Sequence, residues 1–144
     1  MSTTIEQALD AYRADIEALE PERGAAWYAD DAIVMDAMHA WRHVGREAID
    51  AWIDEWLGMC ETPSSLRFED VRIEESGDLA VVIADARYEA TVDGETAGMW
   101  CRFTQAWRRD AAGWRIVAEH TSVPLDEDGD VIERDDADVD PDDD

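Results

Sequence analysis

The stretch LAVVIADARYEATVDGETAGMWCRFTQAWRRDAAGWRIVAEHTS, residues 79–122, determines the fold class of this chain. Apolar and polar residues alternate over three long runs, residues 79–92, 96–109 and 113–123, as they do in β-strands. Turn signals separate the runs, and Asp93-Gly94 is a strong marker of a hairpin. A fourth run, residues 66–74, precedes them. The pattern predicts four long strands in an antiparallel meander.

The first half of the chain has helical spacing instead. Apolar residues recur every three or four positions up to Pro21: Ile5, Leu9, Tyr12, Ile16 and Leu19. A short second helix is predicted over residues 25–28 and a brief strand over residues 32–36. After Gly45, a third helix carries one apolar stripe: Ile49, Trp52, Ile53, Trp56 and Leu57. Helices followed by a meander predict an α+β fold with the helices on one face of a curved sheet.

The charge of the chain excludes several partners. Among 144 residues, 37 are acidic and 12 are basic, all of them arginine, which gives a net charge of −25. Such a surface repels nucleic acid and anionic membranes, so neither is expected as a partner. We interpret the charge as adaptation to a very salty cytoplasm. The first residues lack the basic start and apolar stretch of a secretion signal, which favours a cytoplasmic protein.

The length fits one domain, residues 1–125, followed by an acidic tail, residues 126–144. The tail holds twelve acidic residues and one arginine and is expected to be solvated and disordered. Its first aspartates resemble the start of a calcium-binding loop, but Val131 stands where glycine must turn the chain and Ala137 where a bidentate glutamate belongs. No calcium site is predicted there.

Metal and cofactor chemistry is not predicted elsewhere either. Asp36, His39 and His43 have helical spacings, yet they lie in a predicted loop, and no other feature supports a metal site. Cys60 and Cys101 are far apart and form no metal or disulfide motif, so we expect them to pack in the interior. No motif for an organic cofactor is present.

Strand periodicity divides the run over residues 79–92 into two faces. One face holds the larger aliphatic residues Leu79, Val81 and Ile83, which we expect to contact the helices. The other holds small residues and Tyr88, and a flat face of this kind suggests packing against a second copy of the chain. In the last strand both faces contain apolar residues, so periodicity alone does not assign them.

Three motifs resemble a known superfamily. YADDAIVMD, residues 28–36, resembles a stretch of the ketosteroid isomerases, and VGREAIDAWI, residues 44–53, resembles the helix that follows it. TQAWRRDAAGWRIVAEHTS, residues 104–122, is similar to the final hairpin of SnoaL-like domains and of the association domain of calcium/calmodulin-dependent kinase. All belong to the nuclear transport factor 2-like (cystatin-like) group. The resemblance implies a cone-shaped curved antiparallel sheet wrapped around three N-terminal helices, with a pocket at the open end.

The resemblance also implies site residues. The proton-abstracting aspartate of the isomerases falls on Asp36, and the two residues that hold the substrate oxygen fall on Tyr12 and Gln105. Since Gln105 would face the pocket, Glu119 and Thr121 should face it too. The resemblance places Arg87 near a pocket arginine that would bind a carboxylate or phosphate. The open alternative is an ion pair of this arginine within the protein.

Two further groups of residues complete the expected site. Tryptophans are expected to wall the pocket, with one of them in a loop at its mouth: Trp52 and Trp56 on the third helix and Trp41 in the loop. Residues on the outer face are expected at a homodimer interface: Tyr88, His120 and Ser122. A role of His120 as a general base is less favoured than its role at the interface.

Two functions remain open at this point. The first is binding of a small hydrophobic molecule that bears a carbonyl, with isomerase- or dehydratase-type acid–base chemistry. The second is a non-catalytic module that assembles through its sheet and binds a metabolite or keeps a vestigial pocket. The superfamily contains both enzymes and binding domains, so the resemblance alone does not choose between them.

Overall fold

The computed structural model describes residues 3–134, which form three helices and six strands. The helices are α1 (Ile5–Glu17), α2 (Pro21–Ala26) and α3 (Arg46–Gly58), and the strands are β1 (Tyr28–Met35), β2 (His43–Val44), β3 (Glu61–Ser76), β4 (Leu79–Val92), β5 (Glu95–Asp110) and β6 (Gly113–Ser122). The predicted α+β class, with helices against a curved sheet, is confirmed. Within the described residues, no helix combines the length and the apolar character needed to cross a bilayer.

The six strands form one sheet in the order β2-β1-β6-β5-β4-β3. All pairings are antiparallel except that of β1 with β6, which is parallel, so the sheet is mixed rather than purely antiparallel as expected. In the parallel pair Val34 lies opposite Glu119 and Met35 opposite His120. Since the two strands run in the same direction, the residues that follow β1 emerge beside the polar end of β6.

The beginning of β1 differs from the sequence prediction. The second helix occupies residues 21–26, with Pro21 in its first turn, and not residues 25–28. Proline suits this position because the first helical N–H groups have no intrahelical partner. Tyr28 therefore begins β1, where it is 1% exposed and points into the core.

The faces of β4 are the reverse of the prediction. Leu79, Val81 and Ile83 are 56%, 38% and 45% exposed on the outer face. The residues of β4 that face the helices are buried and mostly small: Ala80, Val82, Ala84 and Ala86. Small side chains fit this face because the interior is already filled by large aromatic rings from other elements, such as those of Tyr12 and Trp107.

A β-bulge explains why both faces of β6 contain apolar residues. The register of β5 and β6 shifts between Ala106 and Trp107, which pair with Ala118 and Ile116, so Val117 is an extra residue. Before the bulge Ile116 points into the core, and after it Glu119 is the residue that points inward. The residues of β6 that face inward are therefore even-numbered up to Ile116 and odd-numbered from Glu119 onward.

The first part of the predicted solvated tail contacts the sheet. The guanidinium of Arg134 pairs with Asp85 at 2.5 Å, with Glu69 at 3.1 Å and with Asp70 at 3.6 Å. It also lies 4.3 Å from the centre of the Trp100 ring. A single cation that meets three carboxylates and an indole face explains why this acidic segment returns to the protein. The expectation for residues 135–144 lies outside the described residues.

The charge of the chain leads to a prediction about salt. With a net charge of −25, self-repulsion destabilises the compact state, and salt screens it. We expect the free energy of unfolding, measured by urea titration, to rise steeply between about 0.1 M and about 1 M KCl, over which the screening length falls from about 10 Å to about 3 Å. Sucrose at matched osmolality is the control. An equal gain in sucrose would show that screening is not the cause.

Candidate functional site

A cavity of about 590 Å³ lies between α3 and the inner face of the sheet. Its walls come from α3, from the residues after β1, from β2 and from β4 to β6. Its ionisable and aromatic lining residues are Asp36, His39, His43, Trp52, Glu55, Trp56, Tyr88 and Glu119. None of the arginines, all of which lie within residues 3–134, lines it. The cavity is therefore apolar and acidic.

A second hollow of about 570 Å³ adjoins this cavity and shares five of its residues: Met38, Trp56, Cys60, Tyr88 and Met99. Its remaining walls come from α1, from β3 and from the hairpin between β4 and β5. None of its acidic residues is buried. The buried acidic side chain that could take part in acid–base chemistry therefore lies in the first cavity.

Glu119 is the central polar residue of the first cavity and is only 4% exposed. Its Oε1 accepts hydrogen bonds from the Tyr28 hydroxyl at 2.6 Å and from Gln105 Nε2 at 2.6 Å. The Tyr12 hydroxyl lies 3.4 Å from the same oxygen and 3.1 Å from the Tyr28 hydroxyl. Every hydrogen bond that the Glu119 carboxyl group receives from the described residues ends on Oε1. Its other oxygen, Oε2, is left for the cavity.

The amide of Gln105 is oriented by Trp107. The indole Nε1 of Trp107 donates to Gln105 Oε1 at 3.0 Å, and an indole can only donate. The amide oxygen must therefore face Trp107, which turns Nε2 towards Glu119. Both residues are fully buried, so this chain of donors is held rigidly.

The surroundings of Glu119 change its acidity. Burial raises the pKa of the Glu119 carboxyl from 4.5 to about 7, against the opposing effect of the hydrogen bonds from Tyr28 and Gln105. The negative charge of Asp36 contributes to this rise. Burial also raises the pKa of Tyr12 and Tyr28 well above 10, so both hydroxyls remain protonated donors. Near neutral pH, Glu119 can therefore either donate or accept a proton.

Asp36 is the second carboxylate of the cavity. Its Oδ2 accepts from the indole Nε1 of Trp52 at 3.1 Å, and the Thr121 hydroxyl lies 3.4 Å from its Oδ1. The same hydroxyl accepts from the backbone N–H of Ala37 at 3.1 Å, which fixes the chain directly after β1. These donors hold the carboxylate of Asp36 in place at the wall of the cavity.

A row of rings forms one wall of the cavity. The imidazole of His43 stacks on Trp52 with ring centres 5.1 Å apart, and Trp52 stacks on Trp56 at 5.6 Å. Tyr88 meets the edge of Trp56 at 5.8 Å. These rings make the wall of the cavity apolar, which favours an apolar ligand.

The predicted catalytic residues do not converge on one ligand position. Asp36 lines the cavity, but Tyr12 and Gln105 lie behind it and use their donor groups on Glu119. Glu119 and Thr121 line the cavity, as the resemblance implies. The residue that presents a polar atom to a ligand at this position is therefore Glu119 and not the two donors behind it.

Three residues lie elsewhere than the sequence predicts. Trp41 is 85% exposed and does not line the cavity, because its loop turns the indole towards solvent. Arg87 is on the outer face of β4, where it pairs with Glu89 at 3.8 Å and lies 5.9 Å from the Trp100 ring centre. Tyr88, expected at a dimer interface, lines the cavity because the faces of β4 are reversed.

The remaining outer-face residues occupy the expected side of the sheet. His120 is exposed and pairs with Thr104 on β5, and the Ser122 hydroxyl accepts from Arg102 Nε at 3.2 Å.

The sequence analysis missed three residues of the site: Tyr28, His43 and Trp107. Tyr28 belongs to the YADD motif, so the motif itself was a signal, but the predicted helix over residues 25–28 concealed its direction. His43 lies in a strand of two residues, which has no periodicity to read. Within residues 3–134, no group of three or more acidic, histidine or cysteine side chains could hold a metal ion.

This geometry defines a class: small α+β domains in which a curved sheet and its helices form a ligand-sized pocket. The chain belongs to the SnoaL-like domain family, whose model matches residues 5–126. The chain matches no curated protein.

Solved structures share the fold. A nuclear transport factor 2-like protein of unknown function from Pseudomonas putida is 24% identical with a TM-score of 0.79, over 90% of this chain and 91% of that one. A putative calcium/calmodulin-dependent kinase type II association domain from Thiobacillus denitrificans is 29% identical with a TM-score of 0.70, over 88% and 98%. A ketosteroid isomerase-like protein from Erwinia carotovora is 21% identical with a TM-score of 0.69, over 82% and 92%.

Proposed function

We propose that the chain binds a small, uncharged, largely apolar molecule in the 590 Å³ cavity and moves a proton on it with Asp36 and Glu119. One observation carries this proposal. The Glu119 carboxyl is buried, its Oε1 is held by Tyr28 and Gln105, and its Oε2 is left for the cavity. A carboxyl that is positioned so firmly and has a pKa of about 7 is suited to acid–base work near neutral pH.

The two carboxyl groups take different roles. Asp36 accepts from Trp52 and Thr121, which hold its carboxylate at the wall of the cavity, so it acts as the base that removes a proton from carbon. Glu119 in its neutral form donates a hydrogen bond to the ligand oxygen on which negative charge develops. This differs from the expectation in one respect: Glu119 replaces Tyr12 and Gln105 as the group that meets the oxygen.

The charge of the cavity opposes an anionic ligand. Asp36, Glu55 and Glu119 line it, and no arginine of the chain does. A carboxylate or phosphate would meet repulsion without a compensating cation. The earlier expectation that Arg87 binds an anionic group is therefore not carried into the proposal. A carbonyl compound without charge fits the hydrogen-bonding groups.

The proposal is tested by proton exchange. A cyclic β,γ-unsaturated ketone in D₂O should exchange its α-hydrogens, or isomerise, faster with the protein at high salt than with matched acetate buffer, as followed by NMR. We expect Asp36→Asn to lower this rate by about 100-fold or more, because the base is lost while the amide still accepts from Trp52.

The control variant is Trp41→Ala, which removes an exposed ring that does not line the cavity and should keep the parent rate. Exchange at the parent rate in Asp36→Asn, or no acceleration by the parent protein, would contradict the catalytic part of the proposal. Binding of the ketone, measured by calorimetry, then remains as a separate outcome for the non-catalytic alternative.

A second candidate function, assembly through the sheet, also has an observation in its favour. Leu79, Val81 and Ile83 form an exposed apolar strip on the outer face of β4. We propose that this face pairs with a second copy of the chain. Sedimentation in concentrated salt tests it. A mass of twice 16.2 kDa that falls to a monomer in Ile83→Glu supports the dimer, and a monomeric parent contradicts it.

The proposed location is the cytoplasm. Cys60 and Cys101 are both free, as is usual in a reducing compartment. The acidic composition supports a cytoplasm with a high salt concentration.

A further inference from the structure

The hydroxyl of Tyr88 has no hydrogen-bond partner among residues 3–134. In that part of the chain the buried side-chain polar atom that lacks a partner is Nε2 of His43, so the unpaired Tyr88 hydroxyl is not closed off from solvent. Tyr88 is half-buried on the inner face of β4 and lines the cavity. Its hydroxyl is therefore an accessible and unused hydrogen-bonding group in the wall of the cavity.

The position of the Tyr88 ring is set by packing. The ring meets the edge of Trp56 with ring centres 5.8 Å apart and 65° between the planes. In the sheet Tyr88 lies between Leu66 on β3 and Met99 on β5, and its side chain packs against the hydrophobic core. These contacts hold the hydroxyl in a defined place without a hydrogen bond of its own.

The hydroxyl of Tyr88 can only be a protonated group near neutral pH. Burial raises the pKa of Tyr88 well above 10, and the negative charges of Glu119 and Asp36 contribute to the rise. The hydroxyl therefore keeps its hydrogen and can donate it to an acceptor atom of a ligand. Because the same carboxylates repel an anionic acceptor, an uncharged oxygen suits this donor best.

Tyr88 and the two carboxyl groups stand on different sides of the cavity. Tyr88 lines the second hollow as well as the cavity, whereas Asp36 and Glu119 line the cavity alone. Trp56 and Met99, which also line both spaces, place apolar surface beside the Tyr88 hydroxyl. A ligand that meets Glu119 with one oxygen therefore has its other end on the side of Tyr88.

We propose that Tyr88 determines ligand specificity, and that its hydroxyl donates to a second, uncharged oxygen at the end of the ligand away from the oxygen that meets Glu119. The ligand class is a largely apolar molecule with an acceptor oxygen, such as a carbonyl, at each end. A molecule without the second oxygen leaves the Tyr88 hydroxyl unpaired and binds more weakly. This inference rests on the proposed binding function of the cavity, but not on its catalysis.

Two probes test the inference by calorimetry at neutral pH and high salt. One is the decalin monoketone, and the other is the decalin diketone that carries its second carbonyl at the opposite end. We expect the parent protein to bind the diketone about 10-fold more tightly: about 5-fold from one added hydrogen bond and about 2-fold because either carbonyl can take either place. In Tyr88→Phe, which keeps the ring and removes the hydroxyl, the preference should fall to about 2-fold, with the affinity for the monoketone within about 2-fold of the parent value.

The control variant is Trp41→Ala, whose ring does not line the cavity and which should keep the parent preference. The Tm of Tyr88→Phe should stay within about 3 °C of the parent value, since the lost hydroxyl has no partner in the protein. Infrared spectra of the bound diketone give a second readout. A hydrogen bond weakens the C=O bond, so both carbonyl bands should lie below their position in hexane with the parent protein, and one of them should return towards it in Tyr88→Phe.

The outcomes separate this inference from the proposed chemistry. A preference of about 10-fold that persists in Tyr88→Phe, or its absence in the parent, overturns the role of Tyr88. A parent complex in which one carbonyl absorbs as in hexane does so too, even if Tyr88→Phe does not fold. An equal loss of affinity for both probes in Tyr88→Phe overturns the assignment to a second oxygen.

Failure of both probes to bind the parent protein overturns the binding function and this inference together. A preference that depends on Tyr88, in a protein that does not exchange the unsaturated ketone, supports this inference and overturns only the catalysis.

Discussion

Replacing Glu119 by glutamine should raise the free energy of unfolding at pH 8 by up to about 3 kcal/mol and leave it nearly unchanged at about pH 4.5. The pKa of the carboxyl rises from 4.5 in the unfolded chain to about 7 in the folded protein, because burial penalises the anion. One pKa unit corresponds to about 1.4 kcal/mol, so the difference is worth about 3 kcal/mol. Glutamine keeps an oxygen to accept from Tyr28 and Gln105 but carries no charge.

The direction of the pH dependence follows from which state, folded or unfolded, binds the proton of Glu119 more tightly. Because the folded protein holds it more tightly than the unfolded chain, the contribution of Glu119 to stability is present below about pH 4.5. It is lost as the pH rises through about 7. Urea titrations of parent and variant across this range measure the effect, and the difference between them cancels the other carboxyl groups.

Glu75→Gln is the matched control, because it removes one charge from an exposed position on β3. Its difference from the parent should stay within about 0.5 kcal/mol at every pH. If Glu119→Gln behaved in the same way, Glu119 would not titrate as a buried group. The acid–base proposal would then lose its main support.

Replacing Trp107 by alanine should lower the free energy of unfolding by about 4 kcal/mol. The indole is fully buried and meets the rings of Tyr12 at 6.2 Å and Trp27 at 5.9 Å. Its loss leaves a cavity in the core and an unpaired oxygen on Gln105. Urea titration at high salt measures the change.

Trp41→Ala is the matched control for this prediction. It removes the same side chain from a position that is 85% exposed, so the stability should change by no more than about 0.5 kcal/mol. Equal losses in the two variants would contradict the packing described here. Trp107→Phe separates the two causes, since it keeps most of the volume and removes only the donor to Gln105.

The motifs that carried the family resemblance located the site but not its chemistry. Asp36 follows β1 and lines the cavity, and Glu119 and Thr121 line it too. The role of Tyr12 and Gln105 could not be read from their alignment with other proteins. The Tyr12 hydroxyl and the Gln105 amide both donate to Glu119. Only the distances between these side chains, which lie far apart in the chain, show this.

The pattern of apolar residues by itself determined the class of the fold. Helical spacing in the first half and long alternating runs in the second half are local properties, and they predict helices against a meander whatever the tertiary detail. The family motifs added the expectation of a pocket and pointed to Asp36.

Tertiary structure alone decided which side of each strand became the inside. The face of β4 that holds Leu79 and Val81 has the larger aliphatic residues, but it is exposed because aromatic rings from distant elements fill the interior and leave room only for small side chains. The bulge at Val117 changes the inward parity of β6 and aims Glu119 at the cavity, and the parallel pairing of β1 with β6 brings Asp36 beside Thr121. Both depend on contacts between residues distant in sequence, and a local pattern does not contain them.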